Sequence, residues 1–295
     1  MIKYLQNKEI DYSRWDNAIY ESVNGLIYAN SWYLDVVSEN WDAIILDDYK
    51  AVMPIVWTKK YFLKYVYQPF FTQQLGAFFR DNNSSDFLVE ALELLRKKFS
   101  YVHMNCNYMN HLVDFQENTN YVLNLNRSYE NISANYKKNH IYSLKKSYQN
   151  KLTFEEVSFD TLMGFKKKYL TDNLKLSDLE RLGNVVKACL KNEKSNICGV
   201  FQNGELLSVA FFVFYKNTYY YLIAANSEKG RKLFSSHFLL DSFIKSNANT
   251  PTYLNFEGSN IPGVAKFFKS WGAENVEYYT FKENNLSSFV KIFKN

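Results

Sequence analysis

The chain has 295 residues, of which 47% are hydrophobic, and 35 Lys+Arg against 30 Asp+Glu leave a formal charge of +5. That length supports one large core or two of ordinary size, and the apolar content, with 24 Tyr and 24 Phe, excludes a disordered chain. The charge is compatible with an anionic ligand but too mild to demand nucleic acid.

In chain order, MIKYLQNKEIDYSRWD lacks the apolar core of an export signal. Residues 28–38 read as a helix, WDAIIL and YKAVMPIVW as a hairpin, and an aromatic-rich segment with a loop runs to 79. Phe87, Leu88, Ala91, Leu94 and Leu95 share one helical face, followed by the strand YVHMNC and later YVLNL. The polar segment NRSYENISANYKKNHIYSLKKSYQ then predicts a boundary near 125, giving α/β units at 1–125 and 126–295.

The second unit opens with the strand KLTFEEV (151–157) and helical spacing over 158–170 and 177–192. ICGVF, LLSVAFFVFY and YYYLIAA form a meander, whose first turn, Asn203-Gly204, carries the strongest hairpin signal in the chain. LLSVAFFVFY (206–215) is the longest apolar run and about half a bilayer-spanning helix, so no membrane insertion is expected. The connector NSEKGRKLF leads to a helix capped by Ser235 or Ser236. Phe238, Leu240, Phe243 and Ile244 face inward on it, with His237, Asp241 and Lys245 on its polar side. PTYLNF is a strand, IPGVAKFFKSW a short helix and VEYYTF a last strand of this unit. The crossover from 218–225 to 252–256 makes those strands parallel, with a right-handed connection. Gly258, Pro262, Gly263 and Gly272 crowd into residues 253–274, although the chain has only ten Gly and four Pro.

Four stretches carry a family resemblance: YVYQPFFTQQLGAFF (65–79), the segment 121–157, SSHFLLDSFI (235–244) and NFEGSNIPGVAKFFKSWGAE (255–274). In these the chain resembles the FemAB-like branch of the GNAT acyltransferases. The resemblance implies an α/β fold of α+β type. It would have two tandem GNAT-like lobes, each a mixed, mostly antiparallel sheet flanked by helices with a splayed parallel strand pair. It implies N-acyltransfer from an activated donor, acyl-CoA foremost, to an amine on a sugar, peptide or amino acid held between the lobes. Some relatives use aminoacyl-tRNA on cell-wall precursors and others have no known activity, so an aminoacyltransferase and a catalytically silent binding protein are the alternatives. Phe234 stands where ordinary GNAT proteins have the first glycine of their diphosphate-binding turn.

Acyl transfer to an amine needs a base, donors for the developing oxyanion and an acid for the leaving group. Glu257, at a strand's carboxyl end, suits a base or an ammonium anchor; its competing role is to cap the next helix, which Ser259 or Asn260 also suits. Tyr220 suits protonation of a leaving thiolate, or core packing. Arg231, Lys232, Ser235, Ser236 and His237 suit a donor diphosphate at a helix N-terminus, or solvated and capping roles. Thr72, Gln73 and Gln74 suit a polar acceptor, or satisfy backbone groups; Lys269 faces ligand or solvent.

Arg127, Lys137, Lys138, Lys145, Lys146 and Lys151 stand against one acid, Glu130, and suit a phosphate-bearing acceptor or RNA, or a solvated face. His103, Cys106 and His111 match no zinc spacing, so no metal is expected. Cys106, Cys189 and Cys198 show no paired spacing, which points to a reducing, cytoplasmic compartment. None sits near a His/Asp partner in the sequence pattern, so direct attack without a cysteine nucleophile is expected. No permanently bound cofactor is expected either. The expected assembly is a monomer or weak dimer.

Overall fold

The computed structural model describes residues 1–60, 62–81, 84–170, 175–258 and 260–286. The chain divides into two compact units, one formed by 1–118 with 277–295 and the other by 119–276.

The first unit contains β1 (Ile2–Leu5), α1 (Tyr12–Glu21), α2 (Ser31–Val37), β2 (Trp41–Leu46), β3 (Ala51–Lys60), β4 (Leu63–Val66), β5 (Phe78–Phe79), α3 (Ser84–Lys98), β6 (Tyr101–Cys106) and β7 (Gln116–Asn118). Asp11 starts α1 by accepting from the Arg14 backbone N–H, which satisfies one of the free donors of the first turn. Along α3, Phe87, Leu88, Ala91, Leu92 and Leu95 are buried and join Met53, Ile55, Val102 and Met104 of the sheet in one core. Each of these side chains larger than Ala91 contributes about 1.5–3 kcal/mol by leaving water.

The second unit contains β8 (Tyr121–Asn124), α4 (Tyr129–Ser133), α5 (Lys138–Gln149), β9 (Thr153–Glu156), α6 (Phe159–Lys168), α7 (Leu176–Asn192), β10 (Ser195–Gln202), β11 (Glu205–Tyr215), β12 (Thr218–Asn226), α8 (Glu228–Lys232), α9 (Ser235–Asn247), β13 (Tyr253–Asn255), α10 (Pro262–Lys269) and β14 (Glu274–Asn275). Its sheet runs β14-β8-β13-β12-β11-β10-β9. The Asn203-Gly204 turn has φ of 50° and 78°, as its hairpin requires. Phe243 of α9 stacks on Phe212 of β11 with centroids 3.6 Å apart, at the centre of the core on that face.

β15 (Tyr278–Asn284) follows the second unit but returns to the first sheet, pairing with β6 from Tyr279↔Cys106 to Asn284↔Tyr101 and with β7 on its other edge. The first sheet therefore runs β1-β2-β3-β4-β6-β15-β7, with β5 paired to β3. Two expectations change. The strand YVLNL pairs with β13 and β14, placing it in the second unit and moving the division ahead of 125 to 118/119. VEYYTF closes the first sheet instead of the second. The physical reason is that a strand's partner is chosen by register across the whole sheet, which hydrophobic periodicity does not encode. No helix among the described residues is long and apolar enough to cross a membrane.

Candidate active site

The site is organised by the way β12 and β13 separate. They run parallel through Thr218↔Tyr253, Tyr219↔Leu254 and Tyr220↔Asn255; β13 then ends while β12 continues to Asn226 beside β11. Next to this divergence the β11–β12 register slips between Phe211 and Phe212, leaving Leu222 as the extra residue of a bulge. A bulge beside an unpaired strand edge turns backbone N–H groups out of the ladder, the arrangement that can hold a carbonyl oxygen as it gains charge.

Tyr219 packs on Phe243 and Tyr221 on Phe268, so Tyr220, between them, points to the opposite face of the sheet. Asn255, its register partner, lies between the core residues Leu254 and Phe256 and shares that opposite face. The Asn255 side-chain oxygen accepts the Glu257 backbone N–H at 2.8 Å, fixing Glu257 in a left-handed conformation with φ 58°. For a residue with a side chain that conformation costs about 1–2 kcal/mol, and such strain gathers at functional sites. Gly258 follows because the backbone is crowded there: a Cβ would stand 2.4 Å from both Asn120 Cα and the Thr119 carbonyl oxygen. Asn260 does not cap α10. Its side chain accepts the Thr119 backbone N–H at 3.1 Å, and α10 begins at Pro262 with Ile261 as an N-cap that makes no side-chain bond. Ser259 lies outside the described residues.

Three further groups come from α6 and α7, and two of them, Lys166 and Glu193, carry no sequence signal. Cys189 of α7 is fully buried, and its thiol is pushed up by burial, then by the charges of Glu193 and Glu257. Glu193 ends α7, donating its N–H to the Cys189 carbonyl at 2.8 Å, and burial raises its carboxyl to about 7. Lys166 of α6, only 6% exposed, donates to the Ala224 carbonyl at 3.2 Å, on the part of β12 that has left β13. Helix packing sets each of these placements, and residue spacing does not show it.

The residues expected to contact a diphosphate are split between α8, which carries Arg231 and Lys232, and the first turn of α9, which carries Ser235, Ser236 and His237. Phe234 occupies the N-cap with φ 56° and ψ 35° and makes no capping bond, so Ser235 and Ser236 are first-turn residues and not caps. Asn226, at the end of β12, joins them to the strand: its Nδ2 donates to Ser236 Oγ at 2.8 Å and its Oδ1 accepts from Ser235 Oγ at 2.9 Å. Ser235 is fully buried, whereas Arg231 and Lys232 are exposed, with Arg231 donating to the Asn226 carbonyl at 3.0 Å. The expected connector is the short helix α8, and Gly230 in it is required: a Cβ would stand 2.3 Å from Asn226 Oδ1 and 2.4 Å from the Leu207 carbonyl.

His237 does not face solvent as its helical position predicts. Its ring packs against His140 at 4.9 Å, Phe267 at 5.1 Å and Phe234 at 5.6 Å, and burial pushes its pKa down to about 4. His140 is lowered further, to about 3, by burial and then by His237. Asp241 is also buried, fully, instead of lying on a polar side.

The other expected residues belong to the first unit or to α10. Thr72 and Gln74 belong to the first unit and are 5% and 2% exposed; Gln74 Nε2 donates to Gln73 Oε1 at 2.8 Å. Lys269 is exposed in the last turn of α10. Burial holds the Cys106 and Cys198 thiols up at about 12, and no group of three metal-ligating side chains occurs among the described residues.

No family model matches the sequence, and no curated protein does. Solved structures do resemble it. FemX superposes with a TM-score of 0.67 at 12% identity, over 99% of this chain and 100% of that one. L-PGS from Bacillus licheniformis gives 0.55 at 11%, over 96% and 95%. A tandem GNAT protein from the clavulanic acid biosynthesis pathway gives 0.53 at 10%, over 96% and 98%. The fold is the tandem GNAT-like, FemAB-like fold: two mixed sheets flanked by helices.

Proposed function

We propose that this chain is an N-acyltransferase that moves an acyl group from an activated donor directly to an amine. The observation that carries the reading is the bulged, diverging β12–β13 pair with Glu257 held at its rim by Asn255. In this reading the carbonyl of the donor lies along the free edge of β12. Glu257 takes the proton from the attacking ammonium, the amine nitrogen forms the new bond to the carbonyl carbon, and the leaving group departs with a proton from Tyr220. Buried, protonated thiols support direct attack over a cysteine-bound intermediate.

An acyl-CoA thioester is the donor proposed first, with Arg231 and Lys232 as its diphosphate contacts. A second reading, an aminoacyl-tRNA donor, is favoured by the Asn226 clamp: the α9 serines are already bonded within the protein, and Phe234 replaces the glycine that lets a backbone approach a diphosphate. Thermal-shift titration with acetyl-CoA, longer acyl-CoAs and charged tRNA separates the readings, because a ligand of the native state must raise Tm. A shift with tRNA alone transfers the proposal to the second reading. No shift with any of them makes the fold a silent scaffold and ends both.

A further inference from the structure

Two adjoining cavities open in the first unit, of about 300 and 320 Å³, and Asp42 and Trp57 line both. Together they form a trench whose two halves differ in charge. One half is lined by Lys64 and Lys98, the other by Asp35 and Glu39.

The charges are left separated. Asp42 is only 7% exposed, and its carboxylate is held by neutral donors, the Tyr4 hydroxyl at 2.8 Å and the Asn7 backbone N–H at 2.9 Å. Asp35 Oδ1 likewise accepts from Trp41 Nε1 at 2.8 Å and the Tyr12 hydroxyl at 3.0 Å. The lysines rest on rings: Lys64 Nζ lies 3.9 Å from the centroid of Trp57 and Lys98 Nζ 4.2 Å from that of Tyr4. Among the described residues none of these five charged groups forms an ion pair, and the buried Trp57 Nε1–H has no acceptor. Neutral donors orient a carboxylate without cancelling its charge, so Asp42 keeps a desolvation cost that a cation arriving in the trench would offset. A lysine resting on an aromatic face is held by a cation–π contact worth little at an exposed site and is free to turn toward an anion.

We propose that this trench binds a small zwitterion, its ammonium against Asp35, Glu39 and Asp42 and its oxyanion between Lys64 and Lys98. The oxyanion is a carboxylate or a phosphate; both suit a pair of ammonium groups. The site lies wholly within the first unit and is independent of the acyl-transfer reading.

The test is thermal shift and calorimetry on the full chain with 4-aminobutyrate, O-phosphoethanolamine, butylamine and butyrate. At least one of the two zwitterions is expected to raise Tm and to bind at least about tenfold more tightly than either single-charge compound, which is the effect of about 1.4 kcal/mol from the second charge. The more effective zwitterion identifies the oxyanion. Lys64 and Glu39 are exposed, so Lys64→Gln and Glu39→Gln are expected to leave the ligand-free Tm unchanged and each weaken zwitterion binding about tenfold. No shift with either zwitterion, equal binding of the single-charge compounds, or binding unchanged in both variants overturns the proposal.

Discussion

The Tyr148 hydroxyl donates to Asp241 at 2.6 Å, reaching from a half-exposed ring on α5 to a carboxylate with no exposure at all on α9. Tyr129 donates to the same carboxylate at 2.8 Å and Tyr136 at 3.2 Å, so three phenols hold one buried charge and tie α4 and α5 to α9. Hydrogen bonds to a charged group contribute about 1.5–3 kcal/mol each, with strong coupling among neighbours. Asp241→Ala is therefore expected to cost about 3–5 kcal/mol in urea unfolding, and Tyr148→Phe about 1.5 kcal/mol. A loss below about 1 kcal/mol for Asp241→Ala would show that the cage does not hold these helices.

Stability is expected to fall on mild acidification. Both His140 and His237 have native pKa values below the ordinary 6.5, at about 3 and about 4, so the unfolded chain binds more protons than the native one. Their contribution is complete above pH 6.5 and is lost as pH falls toward about 4 for His237 and about 3 for His140. For His237 the shift corresponds to about 3 kcal/mol. Tm measured from pH 7.5 to 4.5 should decline in the wild type, and His237→Phe should flatten the decline. An unchanged slope in that variant would place the titration elsewhere.

Glu193 has the opposite sign. Its native carboxyl is raised to about 7, so between the unfolded value near 4.5 and pH 7 the native state holds the extra proton, and stability falls as pH rises through that window. Glu193→Gln is expected to remove that component. The two windows overlap, so the difference between each variant and the wild type, not the raw curve, is the diagnostic measurement.

With a donor and an amine in hand, Glu257→Gln is expected to lower kcat by about 10²–10⁴ while donor KM stays nearly constant, the signature of a lost proton acceptor. Equal losses in kcat and in donor affinity, together with a lowered Tm, would make Glu257 a shaping residue of the rim.

Asn226→Ala removes both side-chain links from β12 to the first turn of α9 and leaves the buried Ser235 hydroxyl unpaired. It is expected to cost about 1–3 kcal/mol in chemical denaturation. If the clamp also blocks anion access, Phe234→Gly should increase the acetyl-CoA thermal shift relative to wild type; a decreased shift would mean that the aromatic cap assists binding.

Much of the second unit was legible in the sequence because its signals are local. Asn203-Gly204 fixed a hairpin, alternating and continuous apolar runs fixed β10 to β12, and Pro262 marked the start of α10. Glu257 and Tyr220 were singled out from strand position, and their proposed roles rest on the register that sets Tyr220 beside Asn255, whose side chain accepts the Glu257 N–H. Glu193 and Lys166 were not legible, since each reads as an ordinary polar residue of an amphipathic helix until α6 and α7 are laid on the sheet. His237 and Asp241 misled for a related reason. The face that carries them is covered by α5, so only Lys245 and Ser246 in the last turn of α9 remain exposed, and periodicity alone does not report that second burial.

The return of β15 to the first sheet has a consequence for biosynthesis. β6 keeps only a single register pair with β4 and gains six with β15, so its main partner is made after the entire second unit has been synthesised. The nascent chain therefore carries an apolar sheet edge through the synthesis of residues 119–276, and the half that is begun first is completed last.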